Sequence, residues 1–145
     1  MQIQALLSLT LILLSSCSLA VAAPTASAQA SPSSIPILRT ATTVSGQPLR
    51  LPSGATELAA TRAIFPANSK TNVHRHPFTR LVYVEQGRLS VTNFDTGTTT
   101  LAAEGEMFVE AVGQWHQGSA LDGKPARLLV IDLVPPGVIN AESRR

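Results

Sequence analysis

Cysteine is nearly absent from this chain, since Cys17 is the only one among 145 residues. A single cysteine cannot form an intramolecular disulfide, so packing must stabilise the fold. Cys17 also lies in the N-terminal leader, which leaves the folded part without a thiolate to bind a metal or to act as a nucleophile. Disulfide frameworks, thiolate metal sites and cysteine-dependent catalysis are therefore excluded for the folded part.

Charged residues are scarce as well: they make up 14% of the chain, and the net charge is +2 at pH 7. The 11 Lys and Arg residues are scattered along the sequence and form no cluster. A protein that binds nucleic acid usually carries a basic patch or stripe. We therefore expect no nucleic-acid partner, and we expect the partner to be a small-molecule ligand or substrate.

Long apolar runs are missing too, except in the leader. Residues 5–14 are almost wholly apolar, and this run has the length of a signal-peptide core and is too short to cross a bilayer unaided. Small residues follow, and the pattern Ala-Gln-Ala that ends at Ala30 is typical of signal-peptidase cleavage. We therefore predict that residues 1–30 are a signal peptide and that the protein is exported, to the periplasm or out of the cell.

A second interpretation of the leader rests on the sequence Leu-Ser-Ser-Cys that ends at Cys17. This sequence is similar to the lipobox of bacterial lipoproteins, in which the cysteine is acylated. Under this interpretation the signal is residues 1–16, and a lipidated Cys17 attaches the protein to a membrane. The sequence leaves both interpretations open.

Composition divides the rest of the chain into three parts. Residues 31–45 are rich in Ser, Pro and Thr, and they are predicted to be a linker followed by a first strand. Residues 46–135 alternate short β-favouring runs with turn residues and make up the predicted barrel. Residues 136–145 are predicted to be a loose polar tail.

Helical periodicity is absent over any run longer than about ten residues after the leader, which argues against a helical bundle or an α/β sheet. Turn residues instead separate short runs that are rich in β-branched and aromatic side chains. The sequence therefore predicts an all-β sandwich or closed barrel. The predicted strands are residues 38–44, 57–65, 72–76, 81–86, 89–93, 98–101, 107–112 and 127–133.

The chain contains three histidines, His74, His76 and His116. On a strand, residues i and i+2 point to the same face, so His74 and His76 present their imidazoles side by side. His116 follows the turn after residues 107–112 and must reach the same point from another part of the sheet. Three converging imidazoles suit a divalent transition metal, so these histidines are the predicted metal ligands.

Together these segments resemble the cupin superfamily, whose motifs are G-x5-H-x-H-x3-E-x6-G and G-x5-P-x-G-x2-H-x3-N. The resemblance implies an all-β fold, a small antiparallel jelly-roll β-barrel. Cupins commonly pair edge to edge, so it also implies a homodimer, with the strands near residues 37–65 as candidates for exchange between subunits. Six positions match the motifs in register: His74, His76, Gly87, Gly105, Gly113 and His116.

The chain departs from the cupin motifs at four positions. Asn68 replaces the first glycine, a tolerable change because Asn also accepts a left-handed backbone. Ala111 and Ala120 replace the proline and the asparagine of the second motif. The metal-binding glutamate falls on Arg80, whose guanidinium keeps its proton and cannot be a ligand. The resemblance therefore implies three neutral imidazole ligands for a divalent metal, which is Fe, Mn, Ni, Zn or Cu.

Arg80, Tyr83 and Trp115 are the candidate substrate-binding residues. Arg80 beside a divalent metal favours an anionic substrate, and an ion pair with Glu85 or Glu110 is the competing interpretation. Tyr83 borders a pocket if its side chain faces inward. Trp115 precedes the third histidine and is predicted to line the barrel mouth or to cap the core.

Glu110 is open to three interpretations: a replacement ligand, an acceptor that orients an imidazole, or a solvent-facing strand residue. The last of these is favoured over ligation, because most glutamates on strands face water. The sequence supplies no other unmistakable acid, base or nucleophile for a catalytic role.

The resemblance implies a metal-dependent oxidoreductase of dioxygenase type that acts on a small anionic or enolisable substrate, because three-His cupin sites are associated with dioxygenases. A metal-dependent isomerase or lyase, in which the metal is a Lewis acid, is a related alternative. A non-catalytic exported module that binds a small ligand or a metal is the rival from another class.

Overall fold

The computed structural model of the protein describes residues 31–144. The predicted signal peptide, with its cleavage site at Ala30 and the alternative lipidation site at Cys17, lies outside these residues. Within the described part, no helix is long and apolar enough to cross a membrane. The strands of this part belong to a unit that begins at Ser34.

The described residues form nine strands and no α-helix. They are β1 (Glu57–Phe65), β2 (His74–Arg75), β3 (Arg80–Gln86), β4 (Arg88–Asn93), β5 (Thr99–Ala103), β6 (Met107–Val109), β7 (His116–Ala120), β8 (Ala126–Val134) and β9 (Glu142–Ser143). Strand β1 has the predicted bounds, and β3, β4, β5 and β8 begin and end within about two residues of theirs. Strand β6 ends three residues before its predicted end.

The strands form two antiparallel sheets. One sheet has four strands in the order β1-β8-β3-β6, and the other has five in the order β5-β4-β7-β2-β9. Most neighbours are distant in sequence; β1, for example, pairs with β8 from Glu57 opposite Val134 to Phe65 opposite Ala126. Because successive strands often belong to different sheets, the arrangement is a jelly roll. The predicted all-β fold is confirmed.

The hydrophobic core lies between the two sheets. On β3, Val82 and Val84 are buried, whereas Tyr83 between them is only partly buried. On β4, in the other sheet, Leu89 and Val91 alternate in the same way and join the valines of β3 in one cluster. This is the alternation expected when each sheet has one face on the core. The two sheets therefore share one core.

The segment 38–44 forms no strand, so this part of the prediction is wrong. It makes only an isolated bridge, and the backbone N–H of Thr43 donates to the carbonyl of Gln47. The side-chain amide of Gln47 in turn bonds both the N–H and the carbonyl of Val112, at 2.9 and 2.8 Å. A side chain therefore satisfies backbone groups that a strand partner would otherwise bond.

The C-terminal tail is not loose, so the prediction of a loose polar tail at residues 136–145 is wrong for the described part, which ends at residue 144. Its strand β9 pairs with β2, where Ser143 lies opposite His74. Asn140, just before β9, is buried with 3% exposure. The tail therefore closes one edge of the five-stranded sheet, next to the first histidine.

Candidate metal centre

The three histidines meet because the five-stranded sheet brings their strands together. Strand β2 pairs with β7, and His74 lies directly opposite His116. His76 follows two residues later and lies on the same side, as strand alternation requires. The ring centroids of the three pairs are 4.8, 4.6 and 4.9 Å apart. The predicted convergence of the histidines is confirmed.

The cluster is shielded from solvent and could hold a metal ion. One ring nitrogen from each histidine lies within 4.8 Å of the others. Two nitrogens that each lie about 2.1 Å from one ion are at most about 4.2 Å apart, so small ring rotations are enough to close the set around a metal. His76 and His116 are buried, and His74 is half-buried.

Backbone carbonyl groups fix the orientation of all three rings. Nδ1 of His74 bonds the carbonyl oxygen of Asn72 at 2.8 Å, and Nδ1 of His116 bonds that of Gln114 at 2.9 Å. Nδ1 of His76 bonds the carbonyl oxygen of Asn140. A carbonyl oxygen only accepts, so each Nδ1 carries a proton and the neutral ring presents a lone pair at Nε2. This is the tautomer that a metal-binding histidine needs.

One atom of the cluster has no hydrogen-bond partner. Nε2 of His116 is buried and unbonded. An unsatisfied buried polar atom costs about 1–3 kcal/mol, and a metal ion would relieve that cost by accepting the lone pair. Burial also lowers the pKa of His74, which favours the neutral, metal-binding form of that ring. The residues present therefore fit a divalent transition metal.

Glu110 lies beside the histidines and does not face solvent, contrary to the favoured prediction. It is 7% exposed, and its Oε2 is 2.9 Å from Nε2 of His76 and 3.7 Å from Nε2 of His116. Burial alone would raise the pKa of Glu110, but the two neighbouring imidazoles outweigh burial and hold this pKa below its usual range. Burial likewise opposes a charge on His116, but the Glu110 carboxylate raises the pKa of that ring.

Arg80 forms an ion pair, although with neither of the predicted partners. Its Nε and Nη2 donate to the two carboxylate oxygens of Asp132 on β8, both at 2.7 Å. Its Nη1 lies 3.1 Å from Nε2 of His76. Glu85 is occupied by Arg62 and Arg127 instead. Because Glu85 follows Arg80 by five residues on one strand, the two side chains point to opposite faces.

A cavity of about 140 Å³ adjoins the histidines between the two sheets. Its polar lining residues are His74, Arg80, Glu110 and Thr71. Arg80 and Glu110 also contact the ring of His76. The remaining surface is apolar: Ala63, Phe65, Val82, Leu89, Gly118, Leu128 and Val130. A ligand in this cavity would contact His74 and the charged groups of Arg80 and Glu110 as well as apolar core residues.

The structure does not bring Tyr83 or Trp115 to this cavity. Tyr83 lies on the face of β3 opposite to Val82, outside the lining. Trp115 packs under two guanidinium groups, those of Arg75 at 4.8 Å and Arg144 at 5.7 Å from the ring centroid. Of the three candidate substrate-binding residues, only Arg80 lines the cavity.

Asn140 is a residue of the site that sequence reasoning missed. Its carbonyl holds His76, and its side chain bonds the backbone N–H and carbonyl of Phe78 at 2.9 and 3.1 Å. Its amide also donates to Oδ1 of Asp132 at 2.7 Å. An asparagine in a polar tail carries no pattern that links it to a histidine 64 positions earlier. Only the pairing of β9 with β2 brings them together.

Comparisons with known proteins agree with this architecture. A family model described as the cupin domain matches residues 61–132, which include all three histidines of the chain. A comparison with curated protein sequences found no match. Among solved structures, a cupin-like protein from Thermotoga maritima is 15% identical with a TM-score of 0.53, covering 60% of this chain and 64% of that one.

A second solved structure is more similar in sequence. The polyketide cyclase RemF from Streptomyces resistomycificus is 27% identical with a TM-score of 0.50, and the alignment covers 63% of this chain and 66% of the cyclase. The chain thus spans just under two thirds of the length of either protein. From the family match, the jelly roll and the converging histidines, we conclude that the chain belongs to the cupin superfamily.

Proposed function

We propose that this protein is an exported metal-dependent oxidoreductase of dioxygenase type, with His74, His76 and His116 as the ligands of one divalent transition metal. The observation that carries the proposal is the common orientation of the three rings: each Nδ1 is held by a backbone carbonyl, so each neutral ring has its lone pair on Nε2, the atom that would bind metal. A bound metal of this kind supplies open positions for a small substrate and for O2.

The cavity supports a small substrate. A volume of about 140 Å³ is close to the roughly 150 Å³ of a cavity that holds benzene. A carboxylate or enolate would lie at the end formed by His74 and Arg80, and the apolar walls would exclude water from the other end. Arg80 binds Asp132 through Nε and Nη2, and its Nη1 lies 3.1 Å from Nε2 of His76. With a metal on that Nε2, Nη1 would be the guanidinium nitrogen that orients an anion.

Metal analysis and oxygen uptake test this proposal. Protein purified without a nickel column is expected to retain about one divalent metal per chain. Metal-loaded protein is expected to consume O2 with small β-diketones or thiol acids and not with flavonols, which exceed the cavity. If the metal-loaded protein is inert toward the whole panel, the oxidoreductase proposal fails and the chain is a metal-binding or ligand-binding module.

A second candidate function is metal-assisted isomerisation, lyase chemistry or cyclisation of an enolisable substrate. The 27% identity to a polyketide cyclase favours it. In this case the metal is a Lewis acid, and no O2 is consumed. Turnover of an enolisable acid under strict anaerobiosis, with equal rates in air, would support this candidate and contradict the first.

Export is the part of the proposal that rests on the leader alone. The apolar run at residues 5–14 supports it. Expression of the full chain in a bacterial host, followed by cell fractionation and mass spectrometry of the N-terminus, distinguishes the two processing sites. A terminus at Ser31 supports a soluble exported protein, an acylated Cys17 supports a membrane anchor, and an intact cytoplasmic chain overturns export.

A further inference from the structure

We propose that Glu110 is a fourth ligand of the metal and replaces the glutamate that the cupin motif would place at position 80. This inference rests on the proposed metal site and deepens it. It assigns the anion of the donor set to the residue that directly follows β6, the strand beside β3, and it leaves Arg80 a separate role.

The register of the four-stranded sheet explains why position 110 can replace position 80. Leu81 on β3 lies opposite Val109 on β6, so the next pair in this antiparallel register is Arg80 with Glu110. The backbone N–H of Glu110 donates to the carbonyl of Arg80 at 3.0 Å. Directly opposed residues point to the same face with Cβ atoms about 5 Å apart. A carboxylate at 110 therefore reaches the region that one at 80 would reach.

The contacts of Glu110 favour a bound cation. Its Oε2 lies 2.9 Å from Nε2 of His76 and 3.7 Å from Nε2 of His116. Both rings carry their proton on Nδ1, so a lone pair on each Nε2 would face an anionic oxygen. One proton can relieve this repulsion at only one of the two nitrogens. A metal ion relieves it at both and also gives the buried Nε2 of His116 a partner.

The neighbouring ion pair explains why the acid is not at position 80. Asp132 lies opposite position 80 on β8 and faces the same interior. A glutamate at position 80 would oppose this aspartate, and two adjacent carboxylates repel each other. With Arg80 bound to both oxygens of Asp132, that pair is neutral. Among the described residues, Glu110 is the carboxylate that lies within 4.0 Å of a histidine ring nitrogen.

A Co²⁺ titration of the full chain tests the inference. Four proteins are compared by calorimetry and by the visible absorption of bound Co²⁺: wild type, Glu110→Gln, His116→Ala and Glu104→Gln. Glu104 is exposed and serves as the matched control for removing one negative charge. Circular dichroism establishes that each variant is folded.

Glu110→Gln is expected to weaken Co²⁺ binding by more than about 100-fold, beyond the 10–100-fold effect of groups that only orient a ligand. Its Co²⁺ spectrum is expected to change shape, because an anionic oxygen leaves the donor set. Glu104→Gln should resemble wild type in both measurements. If Glu110→Gln binds Co²⁺ with wild-type affinity and spectrum while His116→Ala does not bind, Glu110 is no ligand and the three-His site stands. If wild type binds no Co²⁺, the proposed function itself fails.

Discussion

Backbone carbonyl groups fix the orientation of the three imidazole rings. The side chains around the rings therefore determine the charge of the site and not its geometry. All three Nδ1 atoms bond carbonyl oxygens, which are neutral and do not depend on the side chains of the residues that carry them. The charged groups at the cluster are then Glu110 and the Arg80–Asp132 pair. Substitutions of these three residues are therefore the informative ones.

Arg80→Glu restores the residue of the cupin motif and is nevertheless expected to destabilise the protein by about 3 kcal/mol, because it leaves Asp132 buried, unpaired and opposed by a second carboxylate. Urea unfolding of the metal-free protein measures the effect. The charge-swapped variant Arg80→Glu/Asp132→Arg should recover part of the loss. If the two substitutions prove additive, the pair is not coupled and this account is contradicted.

Gly87→Ala is a second test at the residue scale. Gly87 matches a glycine of the cupin motif, and the structure shows a steric reason for a glycine at this position. Its φ is +79°, and a Cβ at this position collides with the carbonyl oxygen of Pro125. Gly97 has a similar φ of +72° with open space around it, so Gly97→Ala carries only the left-handed backbone cost of about 1 kcal/mol. Gly87→Ala should cost about 1–3 kcal/mol more than this control in thermal unfolding, and equal losses would refute the steric argument.

The sequence predicted those parts of the site that depend on local spacing. His74 and His76 are two residues apart and lie in one cluster, although β2 ends at Arg75. Asn68 adopts a φ of +59°, as its replacement of a glycine suggested. The partners of Arg80 and His76 could not be predicted. Asp132 and Asn140 lie 52 and 64 positions away in sequence, and only the order of strands in each sheet brings them near.

At the scale of elements, the short strand β9 is the least expected part of the fold. Two residues show no alternation, so no sequence pattern could indicate it. Its pairing with β2 holds Asn140 against the site, and the backbone N–H of Arg144 donates to the carbonyl of Val73 at 3.0 Å. Residues 140–144, which we call the clasp, therefore hold β2, which carries His74, and the ring of His76, which follows that strand.

Asn140→Ala is expected to lower the stability by about 2 kcal/mol, because it removes the side-chain partners of the Phe78 backbone and of Asp132. The same variant should weaken metal binding by about 10–100-fold, since the loop that orients His76 loosens. Chemical unfolding and Co²⁺ calorimetry measure the two effects.

Glu142→Ala is the matched control in the same clasp. It breaks an exposed ion pair with Arg75, which is worth about 1 kcal/mol or less. Equal effects of the two variants would show that the clasp, rather than Asn140, matters.

At the scale of the whole molecule, short β-favouring runs separated by turn residues predicted the all-β class, but this pattern could not assign strands to sheets. The outer surface carries a further pattern. Six large apolar residues of the segment 35–64 are exposed among the described residues: Ile35, Ile37, Val44, Leu51, Leu58 and Ile64. Strand β1 is also an edge strand, so it offers unpaired backbone groups beside this apolar surface. Both features favour the predicted homodimer.

The double variant Leu58→Lys/Ile64→Lys tests that homodimer. These residues are 63% and 72% exposed on the outward face of β1, and burial of such a side chain contributes about 1.5–3 kcal/mol. Two lysines at this surface are expected to weaken dimerisation at least about 100-fold, which analytical ultracentrifugation measures. Leu101→Lys is the control, because Leu101 is 60% exposed and lies on β5, in the sheet that does not contain β1. A wild-type chain that sediments as a monomer at every concentration would contradict the homodimer. A dimer broken by Leu101→Lys alone would move the interface to the five-stranded sheet.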